Sequence, residues 1–436
     1  MFMWIAQCTN ERLTVLSNKK EKDIPLTDWH EIMVVIGCLL VMSYNRVPHM
    51  YMYWSGNKSV RNDTIANAIS RDRFMLLHSK LYFNIPAKPA GASKTYYMTE
   101  VINCLKKTFN QFRSEAVYQS IDETMVKCKA RTSMKQRMPQ KPEKDGIKNW
   151  TRADAVSGYV YDFNVYEGAQ KENVEGTLGE RVVTTLCDTI REKDVAIIND
   201  RFFTSVYLMQ TLPFACVGTV MTGRRNLPDL TGKLKRGDSK SMCTNDGVIC
   251  FKWQDSKEVT LLSNCHDATI ATAERTQKDG SKKTFDCPEA IVFYNKYMAG
   301  VDKADQYSTY YQVDRKSNKW WKRMFNRLLL ITVSNCWILF KTPKEKPLSL
   351  IDYLIPLSED LIEIGKLGTN YQRKLGAGRP SKRLKLMGNV GHQPIRGQTK
   401  RRCAFCTEKK KQSRSFYTCS TCEIPLCIDC FAPYHK

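Results

Sequence analysis

The chain has 436 residues, long enough for two or three domains and a sizeable buried core. Its 68 Lys and Arg against 44 Asp and Glu leave a net charge of +24, which argues for a polyanionic partner, nucleic acid before a membrane surface. The longest apolar run, Ile32 to Met42, has 11 residues and excludes a bilayer span, which needs about 20.

In chain order, residues 1–117 read as mainly helical, with helices expected over Thr27–Met42, Thr27 standing as N-cap, and over Asp72–Leu81. No basic start and apolar run follows Met1, so no secretory leader is expected. Scattered cysteines such as Cys38, Cys216 and Cys336 sit in apolar surroundings, as reduced thiols do, which points to cytosol or nucleus.

From Val117 the texture changes to short β-type runs over Val117–Val126, Val156–Tyr166, Val195–Asn199 and Phe214–Met221, with helices expected at Glu180–Glu192 and Phe202–Gln210. That alternation predicts a mixed α/β sheet covered by helices. Residues 227–289, rich in Lys, Asp, Ser and Gly, read as an insertion with strand-like pieces at Val248–Trp253 and Glu258–Leu262. A long aromatic and basic helix follows, from Trp320 through Phe340. Its leading Trp320, Trp321, Lys322 and Arg323 suit either the core or a DNA contact.

Acidic residues stand at element boundaries in this region. Asp122 lies in Ser120-Ile-Asp-Glu123, Asp200 ends the apolar run Val195–Asn199, and Asp302 and Asp305 lie three apart in Gly300–Gln306, on one face of a helix. In open sheets, function gathers beyond strand C-terminal ends, where Asp200 falls. Carboxylates without a Cys or His partner suit Mg²⁺ or Mn²⁺, and two such ions support in-line displacement at phosphorus. Taken one at a time, each acid also has an ordinary role: Asp200 as a helix cap, Asp302 and Asp305 as a solvated helix-start pair.

The tail carries three CxxC pairs, Cys403/Cys406, Cys419/Cys422 and Cys427/Cys430, with His392 before them and His435 after. Six thiolates and two imidazoles match the eight ligands of two tetrahedral Zn²⁺ ions. Interleaving suggests a cross-brace, with Cys403, Cys406, Cys427 and Cys430 on one ion and Cys419, Cys422, His435 and His392 on the other; pairing in chain order is the alternative. From Gln372 onward, 15 Lys and Arg face 3 Asp and Glu, so half the excess charge lies in the last 65 residues. Arg379, Lys382, Arg383 and Lys385 in the linker, and Lys400, Arg401 and Arg402 before the first CxxC, are the candidate DNA contacts.

Several of these segments, in this order, resemble the piggyBac transposase family: Ser120-Ile-Asp-Glu123, Pro139 to Lys148 with Lys141, Pro142 and Lys144, Asn199-Asp-Arg-Phe-Phe-Thr-Ser205, Val217-Gly-Thr219, Tyr294-Asn295, Ala299-Gly-Val-Asp302, Asp305-Gln306, Trp320 and Asn335. The cysteine-rich tail, closing on Leu426-Cys and Tyr434-His435, resembles that family's C-terminal domain.

The resemblance implies a ribonuclease H-like core of the DDE/DDD type, with Asp122, Asp200 and Asp302 as its metal-binding triad and Asp305 as a further important acid. It also implies cut-and-paste transposition through DNA hairpin ends at TTAA targets, a homodimer acting in the nucleus without membrane contact, and a zinc tail that reads terminal inverted repeats of double-stranded DNA. The expected domains are a helical dimerisation and DNA-binding domain in two parts (1–117, 312–375), a catalytic core in two parts (118–226, 290–311), an insertion domain (227–289), a basic linker (376–391) and the zinc-binding domain (392–436). Family members usually carry a longer region ahead of the first helical domain, whereas Met1 stands inside or very near that domain, as in a domesticated derivative, a truncated copy or an incomplete gene model. Two other readings stand beside the enzyme: a catalytically silent, domesticated DNA-binding or chromatin protein, and a zinc module that recognises protein.

Overall fold

The β-type runs that follow Val117 assemble into one mixed sheet. The computed structural model describes residues 1–139, 141, 144–169, 175–277, 279–313, 315, 317–342, 348–368, 392–409 and 411–435. Linker residues 376–391, with Arg379, Lys382, Arg383 and Lys385, lie outside the described residues, as does Pro142.

Helices α1 (Phe2–Lys20), α2 (Trp29–Tyr44), α3 (Asp63–Ala68), α4 (Arg71–Lys80) and α5 (Thr99–Phe112) come first. The sheet region holds β1 (Tyr118–Lys127), β2 (Lys135–Arg137), β3 (Asp145–Asp154), β4 (Val160–Val165), α6 (Leu178–Cys187), β5 (Ala196–Asn199), α7 (Val206–Thr211) and β6 (Ala215–Thr219). Next are β7 (Ser239–Cys243), β8 (Ile249–Gln254), β9 (Glu258–Ser263), β10 (Ile270–Thr276) and β11 (Lys282–Pro288). Helices α8 (Glu289–Tyr297), α9 (Gly300–Tyr310), α10 (Trp320–Lys341) and α11 (Leu350–Gly368) precede the tail, which holds β12 (Pro394–Arg402), α12 (Ala404–Glu408), β13 (Arg414–Cys419) and α13 (Ile428–His435).

By contacts the chain divides into two units, residues 1–29 with 81–357 and residues 30–80 with 358–436. The first unit is built on a nine-stranded sheet ordered β2-β3-β1-β5-β6-β9-β8-β7, with β4 also paired to β3. Strands β1, β5 and β6 are mutually parallel and the other pairings antiparallel. One apolar cluster joins Ile121, Trp150 and Ile197 to the buried faces of α6 and α7; another joins Ile198, Val217 and Phe251 to α8. The sheet is therefore covered by helices and buried at its parallel centre.

Several boundaries differ from the sequence expectation. Strand β3 was not anticipated, because DGIKNWTRAD lacks the apolar alternation of a strand. Its Asn149, Thr151, Arg152 and Asp154 are nonetheless buried. The terminal guanidinium nitrogens of Arg152 reach Glu115 at 2.8 Å and Thr189 at 2.9 Å, so a polar network replaces apolar packing. The helix expected over Phe202–Gln210 starts only at Val206, because Ser205 is its N-cap and accepts from the Leu208 N–H at 3.1 Å. Helix α6 ends at Cys187, short of the expected Glu192. Residues 227–289 contribute β7, β8 and β9 to the central sheet through the β6–β9 pairing, and β10 and β11 as a separate hairpin.

Helix α10 is fastened to the sheet edge by side chains. Asn335 accepts from the Val160 N–H at 2.9 Å and donates to the Val160 carbonyl at 2.8 Å, taking the place of a neighbouring strand on β4. Arg323 donates from Nε to the Lys127 carbonyl at 2.9 Å. Trp320 is buried, so the core reading applies to it.

In the second unit α2 and α11 approach closely. A Cβ on Gly37 would stand 2.9 Å from the Ser358 carbonyl oxygen, and Tyr44 Oη lies 3.0 Å from Ser358 Oγ. The buried Arg73–Glu31 pair, at 2.6 Å, ties α4 to α2. No helix among the described residues is long and apolar enough to cross a membrane.

Candidate functional site

The centre of the sheet determines where two of the acids stand. Ile121 on β1 is the register partner of Asn199 on the parallel strand β5, so Asp122 and Asp200 are the next residues along two neighbouring strands. Asp200 falls just past the end of β5, where the chain turns: its Oδ1 accepts from the Phe202 N–H at 2.8 Å and its carbonyl from the Thr204 hydroxyl at 2.9 Å. It shapes this turn and leaves the capping of α7 to Ser205.

The third acid arrives on α9. The Val301 N–H donates to Ser120 Oγ at 3.1 Å, two residues before Asp122. That approach requires glycine at 300, since a Cβ there would lie 2.5 Å from Ser120 Oγ and 2.7 Å from the Asp154 carbonyl oxygen. Asp302, one residue beyond this bond, is exposed. Asp305, one turn further, pairs with Arg327 of α10.

Burial, and then the Glu123 charge, push the Asp122 carboxyl up to about 7. Burial also raises Asp200, with Glu123 adding to it against the Phe202 N–H. Lys141 lies 3.4 Å from the Glu123 carboxylate; burial works against its charge, but Asp122, Glu123 and Asp302 outweigh burial and raise its pKa. Tyr294 is raised chiefly by burial, and Asp200, Asp122 and Asp302 add to the effect. Carboxylates crowded at a partly desolvated spot are held apart from their relaxed ionisation until a cation joins them.

The donor set is all oxygen, which fits Mg²⁺ or Mn²⁺. Among the described residues these acids do not bring three ligand atoms within 4.8 Å of one another, as the tail clusters do. Two ions about 3.5–4 Å apart, each about 2 Å from its oxygens, need wider spacing than a one-ion cluster.

The tail is tighter. Cys403, Cys406, Cys427 and Cys430 form one group and His392, Cys419, Cys422 and His435 another, the ligand atoms of each within 4.8 Å. Cys406 Sγ lies 3.7 Å from Cys427 Sγ and 3.4 Å from Cys430 Sγ. His392 Nδ1 lies 3.3 Å from both Cys419 Sγ and Cys422 Sγ, and His435 Nε2 3.6 Å from Cys422 Sγ. A tetrahedral zinc with bonds of about 2.3 Å holds its sulfurs about 3.8 Å apart, whereas a disulfide needs about 2.05 Å; no disulfide joins any of these cysteines. His435 Nδ1 lies 2.8 Å from the Phe431 carbonyl, to which it donates, leaving Nε2 as the ligand nitrogen. Burial would raise the Cys403 thiol, but the backbone N–H groups of Cys406 and Cys427 outweigh it and lower its pKa toward the thiolate a metal needs. The grouping is that of a cross-brace.

Strand β12 runs antiparallel to β13 beside these clusters and is exposed along its whole length. It carries Lys400, Arg401 and Arg402, with Arg396 and Lys400 lying over the Phe416 ring at 5.5 and 5.2 Å.

Residues 1–337 match a family model described as Transposase IS4. The human PiggyBac transposable element-derived protein 3 is 26% identical over 423 residues, spanning 93% of this chain and 70% of that protein. The human PiggyBac transposable element-derived protein 2 is 25% identical over 411 residues, 89% of this chain and 68% of that one. A cryo-EM structure of the piggyBac transposase synaptic complex with hairpin DNA superposes with a TM-score of 0.75 at 20% identity, covering 98% of this chain and 92% of the other. The chain belongs to the piggyBac transposase family.

Two residues of the chain gain a place that the sequence did not assign. Lys141 and Lys148 were legible as part of the Pro139–Lys148 motif but not as neighbours of the acids. Lys148 Nζ sits 3.9 Å over the Trp150 ring, which stacks on Phe202; burial lowers its pKa, while Glu123, Asp122 and Asp200 pull it back up. The signal that could have found both is the clustering of three lysines, Lys141, Lys144 and Lys148, within one short motif.

Proposed function

We propose that this chain is a DNA transposase that cleaves and joins DNA strands at TTAA sites with a DDD centre of Asp122, Asp200 and Asp302. The observation that carries the reading is the register of Asp122 beside Asp200 on parallel strands, with Asp302 brought to them by the Val301–Ser120 bond. These carboxylates would hold Mg²⁺ or Mn²⁺, which supplies Lewis-acid activation of a water or 3′-hydroxyl and charge stabilisation at the leaving oxygen. Lys141 and Lys148 orient the phosphodiester and offset its charge. Asp305 steadies α9 through Arg327.

The related cryo-EM structure is a synaptic complex with hairpin DNA, and a charge of +24 suits the same class of partner here. The tail holds two Zn²⁺ ions, and its Lys400, Arg401 and Arg402 contact terminal-repeat DNA, together with the linker cations Arg379, Lys382, Arg383 and Lys385. The protein acts in the nucleus as a homodimer, with helical parts 1–117 and 312–375 serving assembly and DNA binding around a core of 118–226 and 290–311. A second reading, a domesticated DNA-binding protein that retains the fold without the reaction, stands beside human relatives named as transposable element-derived proteins. Strand-transfer assays with a TTAA target and a scrambled target separate the two: joined product confined to TTAA supports the transposase, and DNA binding with no joined product on either target supports the domesticated protein.

A further inference from the structure

Between β1, α9 and α10 lies a cavity of about 200 Å³, lined by Asp302, Lys141, Thr309, Arg323 and Arg327 among others. Its volume is several times the ~30 Å³ share of one water molecule. Arg323 and Arg327 stand four residues apart on α10 and so share a helix face. Arg327 is only 9% exposed, and although it pairs with Asp305, its Nε has no hydrogen-bond partner among the described residues. Burial draws its pKa down to about 10. A buried guanidinium with an unused donor edge, in a cavity, calls for a small oxyanion able to accept from it.

The lining also indicates which oxyanion. Asp302 and Lys141, which belong to the acidic site, line this same cavity, so an occupant lies beside the reacting strand. A phosphodiester supplies two non-bridging oxygens, the geometry that a guanidinium fork and a nearby ammonium receive.

We propose that this cavity is a subsite for one backbone phosphate of the DNA strand adjoining the acidic centre, held by Arg327 with Lys141 as the second cation. The inference rests on the DNA reading above and extends it to a particular pair of cations.

The test uses the full chain in buffer without Mg²⁺ or Mn²⁺, where strand cleavage does not proceed, and TTAA duplexes with single neutral methylphosphonates stepped across the target. In the wild-type protein one position weakens binding about tenfold. Arg327→Met binds the unmodified duplex about tenfold more weakly, shows no further loss at that position, and lowers the salt slope by about 0.9. Arg327→Lys, which keeps the charge without the fork, falls between and carries the comparison if the Met variant does not fold. A methylphosphonate penalty that persists in both variants, or unmodified-duplex binding equal to wild type in both, overturns the subsite. If wild type binds no DNA, the broader reading fails on its own. A thermal-shift titration with inorganic phosphate then decides the cavity: stabilisation of wild type that is lost in Arg327→Met supports it, and no stabilisation of wild type overturns it.

Discussion

The Val301 N–H donates to the Ser120 hydroxyl at 3.1 Å, joining residues 181 positions apart in the chain. Ser120 stands two residues before Asp122 and Val301 one before Asp302, so this single bond aligns acids from a strand and a helix that have no local reason to meet. Gly300 allows it, because any side chain there meets the backbone of Asp154 and Ala155.

Gly300→Ala tests that contact. The added methyl overpacks the α9–β1 junction and is expected to cost about 1–3 kcal/mol in urea unfolding. Metal-dependent nicking should fall further than stability, because α9 must shift away from Asp122. Unchanged unfolding and unchanged nicking would show that the approach tolerates a side chain.

Metal analysis of the full chain should find two zinc ions per molecule, and one after Cys427→Ser or Cys422→Ser. The pairing is resolved by thiol reactivity. In Cys427→Ser, Cys403 and Cys406 should become reactive while Cys419 and Cys422 stay protected. Protection of Cys403 and Cys406 in that variant would instead favour pairing in chain order.

Asn335→Leu removes both bonds to Val160 and leaves a buried N–H and carbonyl without partners. At about 1–3 kcal/mol for each orphaned group, the urea midpoint should drop by an amount equivalent to roughly 2–6 kcal/mol. A change below about 0.5 kcal/mol would mean that β4 finds other partners.

Glu180 gives a pH signature. Burial would raise its carboxyl, but hydrogen bonds from Ser205 and Thr177 outweigh burial and hold it below the usual range. A depressed carboxyl stabilises the fold fully above its unfolded pKa of about 4.3, and that contribution is lost as pH falls through the lower folded value. Unfolding midpoints measured from pH 6 downward, in approximate unit steps, should therefore decline less steeply in Glu180→Gln than in wild type below about pH 4. Parallel curves would remove this glutamate from the acid response.

Legibility followed locality. The proposed acids Asp122, Asp200 and Asp302 could be singled out from short motifs at element boundaries, and the two four-residue groups of the tail from their CxxC spacing. The mixed sheet was readable from the runs around Ile121, Ile197 and Val217. Strand β3 was not, since its polar residues are buried with a network that includes Glu115 and Thr189 from connecting segments distant in the chain. Nor was the β6–β9 pairing, which joins Val217 to Ser263 across a stretch that reads locally as an insertion. Asn335 stood out as part of a motif, but its partner Val160 is 175 residues away and only the fold brings them together.

The central claim is that Asp122, Asp200 and Asp302 form one metal-dependent centre. Its most direct test is Mg²⁺-dependent nicking of a TTAA-flanked duplex by wild type and by the single variants Asp122→Asn, Asp200→Asn and Asp302→Asn, with DNA affinity measured alongside. The account predicts nicking in wild type and a loss of more than about a hundredfold in each variant, with affinity changed by less than about threefold. Nicking that survives in any one of the three, or that fails in wild type despite tight DNA binding and a full complement of zinc, would contradict it.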